Sequence, residues 1–311
     1  MLKVFSDPRC LLHRVPDGYP EKAERLESIL ELLEHHRVEV EEPGEHAGFE
    51  RAVAAVHSER YLQRFASTVA RSELFLDTPD NPLCDSTWDA ARAAVETTLA
   101  AADWVADGSG RRGMSAVRPP GHHAEHDMAM GFCYFNNVAA AAEYLRREKG
   151  AQRIAVVDFD VHHGNGTQHI FEADPDVLYL STHRYPFYPG TGAADERGTE
   201  AGEGSTVNVP LPAGAGDVAF EAAFQSVVLP SLQDFRPEIL VVSAGFDAWQ
   251  ADPLGGMRVS EEGYQDWGRW LGAVSDEICD GRCLVLLEGG YDIASLPSLL
   301  WTHLQALDGQ G

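Results

Sequence analysis

The stretch IAVVDFDVHHGNG, residues 154–166, joins a short apolar run directly to a cluster of polar side chains. Its first four residues are apolar and mostly β-branched, which predicts a strand that is buried on both faces. The residues that follow, 158–166, are carboxylates, imidazoles, an amide and glycines around two apolar residues. In an open parallel α/β sheet, ligands bind at the carboxyl ends of the strands. This stretch therefore predicts both a fold class and the edge of the sheet where a site would lie.

The same change from an apolar run to a polar cluster occurs at three other places in the chain. Residues 115–117 precede RPPGHH (118–123), residues 239–243 precede AGFD (244–247), and residues 284–287 precede EGGY (288–291). If the four runs are strands of one parallel sheet, their polar clusters meet along one edge.

Segments with helical spacing of apolar residues separate these runs. They cover residues 20–36, 86–106, 136–149, 217–234, 260–280 and 293–307, and further strands are predicted at 2–5 and 177–181. This alternation is typical of an α/β protein, here a single-domain, three-layer αβα structure with a mostly parallel central sheet. No linker, repeat or low-complexity tract divides the chain, so one domain is expected over residues 1–311. The glycine-rich stretch 190–204 is interpreted as a mobile surface loop.

Composition excludes some classes of function. The 24 Lys+Arg and 49 Asp+Glu residues of this 311-residue chain give a net charge of −25, which argues against binding nucleic acid through its phosphates. Whether the acidic surface serves function or environment stays open. The five cysteines are scattered without a C-x-x-C pair, so no disulfide framework or cysteine-rich zinc site is indicated. Without a signal-peptide pattern or an apolar run that could span a membrane, a cytoplasmic protein with no membrane partner is expected.

The D-x-D-x-H segment indicates a metal site. Alternate residues of an extended chain point to the same side, so Asp158, Asp160 and His162 share one face. A carboxylate and a histidine from this face can bind zinc, with Asp247 from another strand as the third ligand. Three protein ligands leave a coordination position open for chemistry, which distinguishes a catalytic zinc site from a structural one.

Each of these features also has an ordinary structural interpretation. A single Asp or His after a strand is usually a turn residue or a helix cap, and adjacent histidines such as His122-His123 are more often surface residues than a catalytic pair. Tyr291 could be an aromatic side chain packed beside a turn. Four polar clusters with complementary groups at four strand ends favour the functional interpretation.

Five stretches resemble the histone deacetylase and acetylpolyamine amidohydrolase family. They are RPPGHHAEHDMAMGFCYFNN (118–137), VVDFDVHHGNGTQHIF (156–171), YLSTHR (179–184), SAGFDAWQADPLGG (243–256) and LEGGYD (287–292). The resemblance spans residues 118–292 and implies an arginase/deacetylase-like fold. The related arginases use two manganese ions and need further acidic ligands. Here the residue two positions after Asp247 is Trp249, which favours a single-metal site.

The resemblance implies catalytic roles. Asp160, His162 and Asp247 would bind one zinc ion. His123 would be the general base toward water and then the acid that protonates the leaving amine, which an imidazole near neutrality can do. Tyr291 would donate its hydroxyl to the developing oxyanion.

The resemblance also implies supporting roles. His122 would pair with Asp158 as an electrostatic partner. Asn165 would orient His123, and a neutral Asn here resembles the class II branch, where class I members carry Asp. A structural potassium ion is implied beside Asp158, Asp160, His162, Ser181 and Thr182.

The substrate tunnel and substrate class follow from the same resemblance. The tunnel residues would be Phe132, a ring from 185–188 such as Tyr188, Leu254, Gly131 and Gly290. An apolar residue at Leu254 resembles the lysine deacetylases rather than the polyamine enzymes, which can carry an acidic residue there. Residues 77–85 are also short where some bacterial polyamine enzymes carry a dimerising insertion.

The expected substrate is therefore ε-N-acyl-lysine in a protein or peptide, with a small acetylated amine such as an acetylpolyamine as the alternative; the oligomeric state stays open. An inactive acyl-amine-binding module is disfavoured because the implied catalytic residues are all present. A cysteine hydrolase using Cys133 is disfavoured because a packed Cys is usually inert.

Overall fold

The computed structural model describes residues 2–108 and 111–310. Within these residues, eight strands form one sheet in the order β2-β1-β3-β8-β7-β4-β5-β6, and every pair of neighbours is parallel. The strands are β1 (Leu2–Phe5), β2 (Val40–Glu41), β3 (Arg112–Ser115), β4 (Ile154–Asp158), β5 (Val177–Arg184), β6 (Thr206–Leu211), β7 (Ile239–Ala244) and β8 (Cys283–Leu287). The ends of the domain predicted for residues 1–311 lie outside the described residues, as do positions 109 and 110.

Ten α-helices accompany the sheet in the described part of the chain. They are α1 (Ala23–His35), α2 (Phe49–Val56), α3 (Glu59–Ala70), α4 (Thr87–Ala106), α5 (Asn137–Arg147), α6 (Asn165–Phe171), α7 (Asp217–Ala223), α8 (Leu229–Phe235), α9 (Glu261–Cys279) and α10 (Leu296–Leu307). Short 3-10 turns occur at Pro8–Leu12 and Glu200–Gly202. Among the described residues, no helix combines the length and the apolar character that crossing a membrane requires.

The central strands β4 and β7 are apolar over residues 154–157 and 239–242 because helices cover both faces of the sheet. In β4, Val156 packs in the core that α2, α3 and α5 line, while Val157 packs in the core that α1, α9 and α10 line. Val241 and Val242 of β7 divide between the two cores in the same way. The predicted three-layer α/β architecture with a parallel sheet is confirmed.

Two predicted elements differ from the structure. The strand predicted at 115–117 is β3, which lies three residues earlier and ends at Ser115. The helix predicted at 217–234 is divided into α7 and α8 by a π-helical turn at Phe224–Val228. Pro230 lies in the first turn of α8 and has no N–H to donate to the preceding turn, which accounts for a break in the regular pattern there.

Several short elements have no counterpart among the predicted ones. The strand β6 contains Pro210 and alternates buried with part-buried residues, because it lies at the edge of the sheet. The strand β2 has two residues, and the unpredicted helices α2, α3 and α6 have 8, 12 and 7. Elements as short as β2 and α6 give a weak periodic signal, whereas α2 and α3 have apolar residues at helical spacing that the sequence shows.

The order of the strands determines where the site lies. The strands β3, β8, β7 and β4 are consecutive neighbours in the sheet. Their registers pair Ser115 with Leu286, Leu286 with Ser243, and Ser243 with Asp158. The four polar clusters that follow these strands therefore emerge side by side at one edge of the sheet, as their sequence positions predict.

Candidate active site

Two carboxylates and an imidazole converge at this edge. Asp160 and His162 follow β4, Asp247 follows β7, and all three are buried. One ligand atom from each lies within 4.8 Å of the others. His162 Nδ1 is 3.1 Å from Asp160 Oδ1 and 3.1 Å from Asp247 Oδ2. The structure thus brings together the three residues predicted to bind zinc.

Backbone amides orient both carboxylates. Asp160 Oδ2 accepts a hydrogen bond from the N–H of Gly289 at 2.7 Å, and Asp247 Oδ1 accepts one from the N–H of Val161 at 2.9 Å. The other oxygen of each carboxylate therefore faces His162. Gly289 also has no side chain that could intrude, since a Cβ there would lie 2.2 Å from Asp247 Oδ2.

The electrostatics of the cluster favour a cation. Burial and the nearby charge of Asp160 raise the pKa of Asp247 to about 7. Burial lowers the pKa of His162, but its hydrogen bonds with the two carboxylates outweigh this and raise it to about 9. Two buried carboxylates facing one point require a positive charge between them. A divalent cation bound by two carboxylates and one imidazole fits this donor set, because oxygen and nitrogen ligands suit zinc.

The adjacent histidines His122 and His123, in the polar cluster that follows β3, have opposite electrostatic surroundings. Burial lowers the pKa of His122, but the charges of Asp158 and Asp160 raise it to about 10, and its Nδ1 is 3.0 Å from Asp158 Oδ2. Burial and the positive charge of His122 lower the pKa of His123 well below its usual value. One imidazole is therefore held as a cation while its neighbour, 4.0 Å away between ring centroids, is held neutral and able to accept a proton.

A buried carboxylate holds the segment that carries this pair. Glu288, directly after β8, accepts hydrogen bonds from the backbone N–H of Gly121 at 2.7 Å and of His122 at 3.2 Å. Ser243 Oγ donates to the other oxygen of Glu288 at 3.2 Å. The end of β8 and the end of β7 thereby fix the position of the histidine pair. Glu288 is not among the residues predicted for the site, although its position in the EGGY cluster directly after a predicted strand could have marked it.

A cavity of about 250 Å³ opens onto His123 and His162. It is lined by Asp80, His123, Gly131, Phe132, His162, Phe187, Tyr188, Leu254 and Tyr291. Four of the five predicted tunnel residues are in this set. Gly290 is not in this set, since a Cβ there would meet Leu296 and Phe246 at 2.9 Å, and its place on the tunnel wall stays a prediction.

Aromatic rings form the wall of the cavity. Phe187 stacks on His162, with ring centroids 5.2 Å apart and planes 16° apart. Phe132 meets Tyr291 edge to face at 6.0 Å between centroids. A wall of such rings suits apolar groups and excludes water from their surface.

Two lining residues are absent from the set predicted by sequence. Phe187 lies in the segment 185–188, which is predicted to supply a ring such as Tyr188. Asp80 lies in the polar segment before α4, where nothing in the sequence marks it. Its carboxylate accepts hydrogen bonds from the Tyr188 hydroxyl at 3.0 Å and from the N–H of Gly131 at 2.8 Å.

Three of the residues predicted around potassium lie in β4 and β5. Asp158 ends β4 and is the register partner of Ser181, and Thr182 follows Ser181 in β5. Ser181 Oγ is 2.8 Å from His183 Nδ1, and within the described residues the buried Thr182 hydroxyl has no hydrogen-bond partner. Successive strand residues point to opposite faces, so Thr182 does not share a face with Ser181, and the side-chain oxygens of Asp158 and Ser181 are the ones compatible with a hard cation between these strands.

Cys133 does not have the environment of a nucleophile. Its side chain is buried, its thiol contacts the carbonyl of Gly131 at 3.3 Å, and burial raises its pKa well above the ordinary value. A thiol in such surroundings stays protonated.

Comparison with known proteins shows which family and which proteins this chain is similar to. The family model for the histone deacetylase domain matches residues 19–307. Histone deacetylase 14, chloroplastic, of Arabidopsis thaliana is 37% identical over 325 residues, which covers 99% of this chain and 77% of that protein. A probable deacetylase of Archaeoglobus fulgidus is 37% identical over 300 residues, 94% of this chain and 82% of that protein. The crystal structure of the HDA15 HD domain superposes with a TM-score of 0.92 at 39% identity, covering 99% of this chain and 90% of that one.

Proposed function

The chain belongs to the histone deacetylase family, a family of hydrolases that act on amides, and we propose that it is a zinc-dependent enzyme that removes acetyl or other acyl groups from ε-N-acyl-lysine. One observation carries the proposal. The cluster of Asp160, His162 and Asp247 lies at a cavity that a neutral imidazole, His123, and a phenol, Tyr291, also line.

Asp160, His162 and Asp247 would hold the zinc ion. When bound, zinc supplies Lewis acidity that makes an otherwise unreactive amide carbonyl open to attack by water. The backbone hydrogen bonds to both carboxylates keep these ligands in place before the ion arrives.

His123 would move the protons. Its Nδ1 is 2.7 Å from Asn165 Oδ1, which fixes the ring, and its neighbours keep it uncharged. A neutral imidazole can take a proton from water and then return it to the departing amine. The cationic His122 beside it would stabilise negative charge that develops during the reaction.

Tyr291 would stabilise the charge on the substrate carbonyl oxygen. Burial and the charge of Asp247 raise the pKa of its phenol well above the ordinary value, so the hydroxyl stays protonated and able to donate. Its backbone N–H donates to Asp252 Oδ2 at 2.7 Å, which anchors the loop that presents the ring. A donor fixed in advance is what an oxyanion requires.

The residues at the mouth of the cavity support an acyl-lysine as the substrate. Leu254 lies there, 36% exposed, and an apolar side chain suits the neutral stem of an acyl-lysine. A second candidate is a small acetylated amine, including a polyamine, because the carboxylate of Asp80 also lines the cavity and would attract a cationic tail.

Three further parts of the proposal come from the sequence. We propose that the chain folds as one domain, and that a structural potassium ion binds beside Asp158 and Ser181, as the pairing of these two residues in neighbouring strands supports. We also propose a reducing, cytoplasmic environment, which agrees with the five free cysteines.

The test is metal analysis together with a substrate panel. We expect about one zinc per chain and turnover of acetyl-lysine peptides that a chelator abolishes and added zinc restores. Comparison of kcat/KM for acetyl-lysine peptides, longer acyl-lysines and acetylated polyamines then identifies the substrate. Full activity in metal-free protein would refute the mechanism, and a preference for polyamines would support the second candidate.

A further inference from the structure

The side-chain amide of Asn165 has its orientation set by its surroundings. Its Nδ2 lies 2.5 Å from Glu125 Oε1, 3.3 Å from the carbonyl oxygen of His123 and 3.3 Å from Met130 Sδ. All three groups are acceptors only, since a carboxylate, a carbonyl and a thioether have no proton to donate. A flipped amide would place its oxygen against three acceptors, so Oδ1 must face the other way, toward His123.

This orientation determines the tautomer of His123. Asn165 Oδ1 lies 2.7 Å from His123 Nδ1, and a carbonyl oxygen can only accept, so Nδ1 must carry the proton. In a neutral imidazole the other nitrogen, Nε2, then has the free lone pair. The general base proposed above needs that lone pair on the side of the ring away from Asn165.

Glu125 is the strongest of the three acceptors because it is charged. His169 holds its carboxylate, with Nδ1 2.8 Å from Oε1 and 3.0 Å from Oε2. The hydrogen bond with Glu125 also raises the pKa of His169. The four side chains therefore form a chain of contacts from the surface to the site: His169, Glu125, Asn165, His123.

The backbone of Glu125 is fixed as well. Its N–H donates to the carbonyl of Met128 at 2.9 Å, and its carbonyl lies 2.9 Å from His57 Nδ1. His57 Nε2 accepts the N–H of Asn136 at 2.9 Å, so His57 Nδ1 is the nitrogen that donates to Glu125. Glu125 is therefore held both by its backbone and by its carboxylate. This constrains its position more than an exposed ion pair does, since such a pair by itself contributes little to stability.

We propose that Glu125 is a positioning residue for His123: through Asn165 it fixes the amide orientation that keeps the proton on His123 Nδ1, and His169 holds Glu125 in place. The inference rests on the proposed function, because it takes His123 to be the general base.

The test compares Glu125→Ala with Glu125→Gln in the zinc-loaded enzyme. Alanine removes the acceptor, so kcat for an acetyl-lysine peptide is expected to fall about tenfold with little change in KM, the loss typical of one charge-assisted hydrogen bond. Glutamine keeps a carbonyl acceptor for Asn165, so it should restore most of the lost activity. Glu172→Gln is the matched control: it removes a negative charge near His169 that no contact connects to Asn165, and kcat should stay at the wild-type value.

A spectroscopic measurement tests the inference without turnover. The ¹⁵N chemical shifts of the His123 ring, assigned by difference with His123→Gln, should report protonated Nδ1 in the wild type and in Glu125→Gln, and a mixture of tautomers in Glu125→Ala. Wild-type kcat and an unchanged tautomer in Glu125→Ala would overturn the inference, as would a Glu125→Gln variant as impaired as alanine. By contrast, wild-type enzyme that hydrolyses no acyl-lysine, or an active His123→Gln, would refute the proposed function and leave the tautomer measurement as the test of the contact chain.

Discussion

Replacement of Tyr291 by Phe removes one hydroxyl and should leave the ring where it is. The backbone N–H of Tyr291 is bonded to Asp252, Phe132 contacts the ring edge to face, and the Arg25 guanidinium lies 5.0 Å from the ring centroid. None of these contacts uses the hydroxyl oxygen. The substitution therefore tests the hydroxyl alone.

The expected loss is large and falls on kcat. Loss of one preorganised donor to an oxyanion costs about a hundred- to a thousandfold in kcat, or about 2.7–4 kcal/mol of barrier. KM should change little, because the carbonyl oxygen acquires its negative charge only in the transition state. Zinc content and melting temperature should be those of the wild type, since Tyr291 is not among the three clustered ligands.

The assay is steady-state hydrolysis of an acetyl-lysine peptide, with zinc measured in the same sample. Tyr188→Phe is the matched control, because it removes a hydroxyl at the same cavity that contacts Asp80 at 3.0 Å instead of the reacting carbonyl. We expect that variant to affect mainly KM. A Tyr291→Phe enzyme with full zinc and near-wild-type kcat would refute the assigned role.

The remaining predictions concern specificity, the shape of the site and acid stability. Leu254→Glu should shift the ratio of kcat/KM toward acetylated polyamines by about fivefold, the effect of one exposed charge pair; an unchanged ratio would show that Leu254 does not select substrates. Gly131→Ala should lower kcat about a hundredfold, because its Cβ would lie 2.3 Å from the ring of the general base, whereas Gly190→Ala, also at positive φ but with open space around it, should keep wild-type kcat. Burial raises the pKa of Glu21, but the ion pair with Arg118 outweighs this and lowers it from 4.5 to about 2. Because the folded value lies below the unfolded one, the stabilisation is complete above about pH 4.5 and is lost as the pH falls toward 2. Urea unfolding should show that Glu21→Gln has a free energy of unfolding about 3 kcal/mol lower than the wild type at pH 7. Between pH 4.5 and 2 the stability of the variant should depend less on pH than that of the wild type. Parallel pH profiles would contradict the stabilising role of the Glu21–Arg118 ion pair.

The architecture follows from local patterns in the sequence. Runs such as 154–157 and 239–242 are apolar at every position, which favours a strand covered on both faces, and the helices between them keep their apolar spacing. The errors occur where the pattern is interrupted: at Pro230, which divides a predicted helix, and in β6, whose Pro210 and alternating burial are those of an edge strand.

The sequence by itself predicted the candidate residues. Asp160, His162 and Asp247 come shortly after apolar strands, and the resemblance to the histone deacetylase family added His123 and Tyr291. A parallel sheet places the ends of its strands at one edge, and the strand order then decides which of those ends are neighbours.

Only the tertiary structure decided which loop residues complete the site. Asp80, Phe187 and Glu125 belong to irregular segments, and Gly290, adjacent to Tyr291, is not among the residues that line the cavity. The physical reason is that a strand has a fixed two-residue period, whereas the direction of a loop side chain depends on which distant segment packs against it.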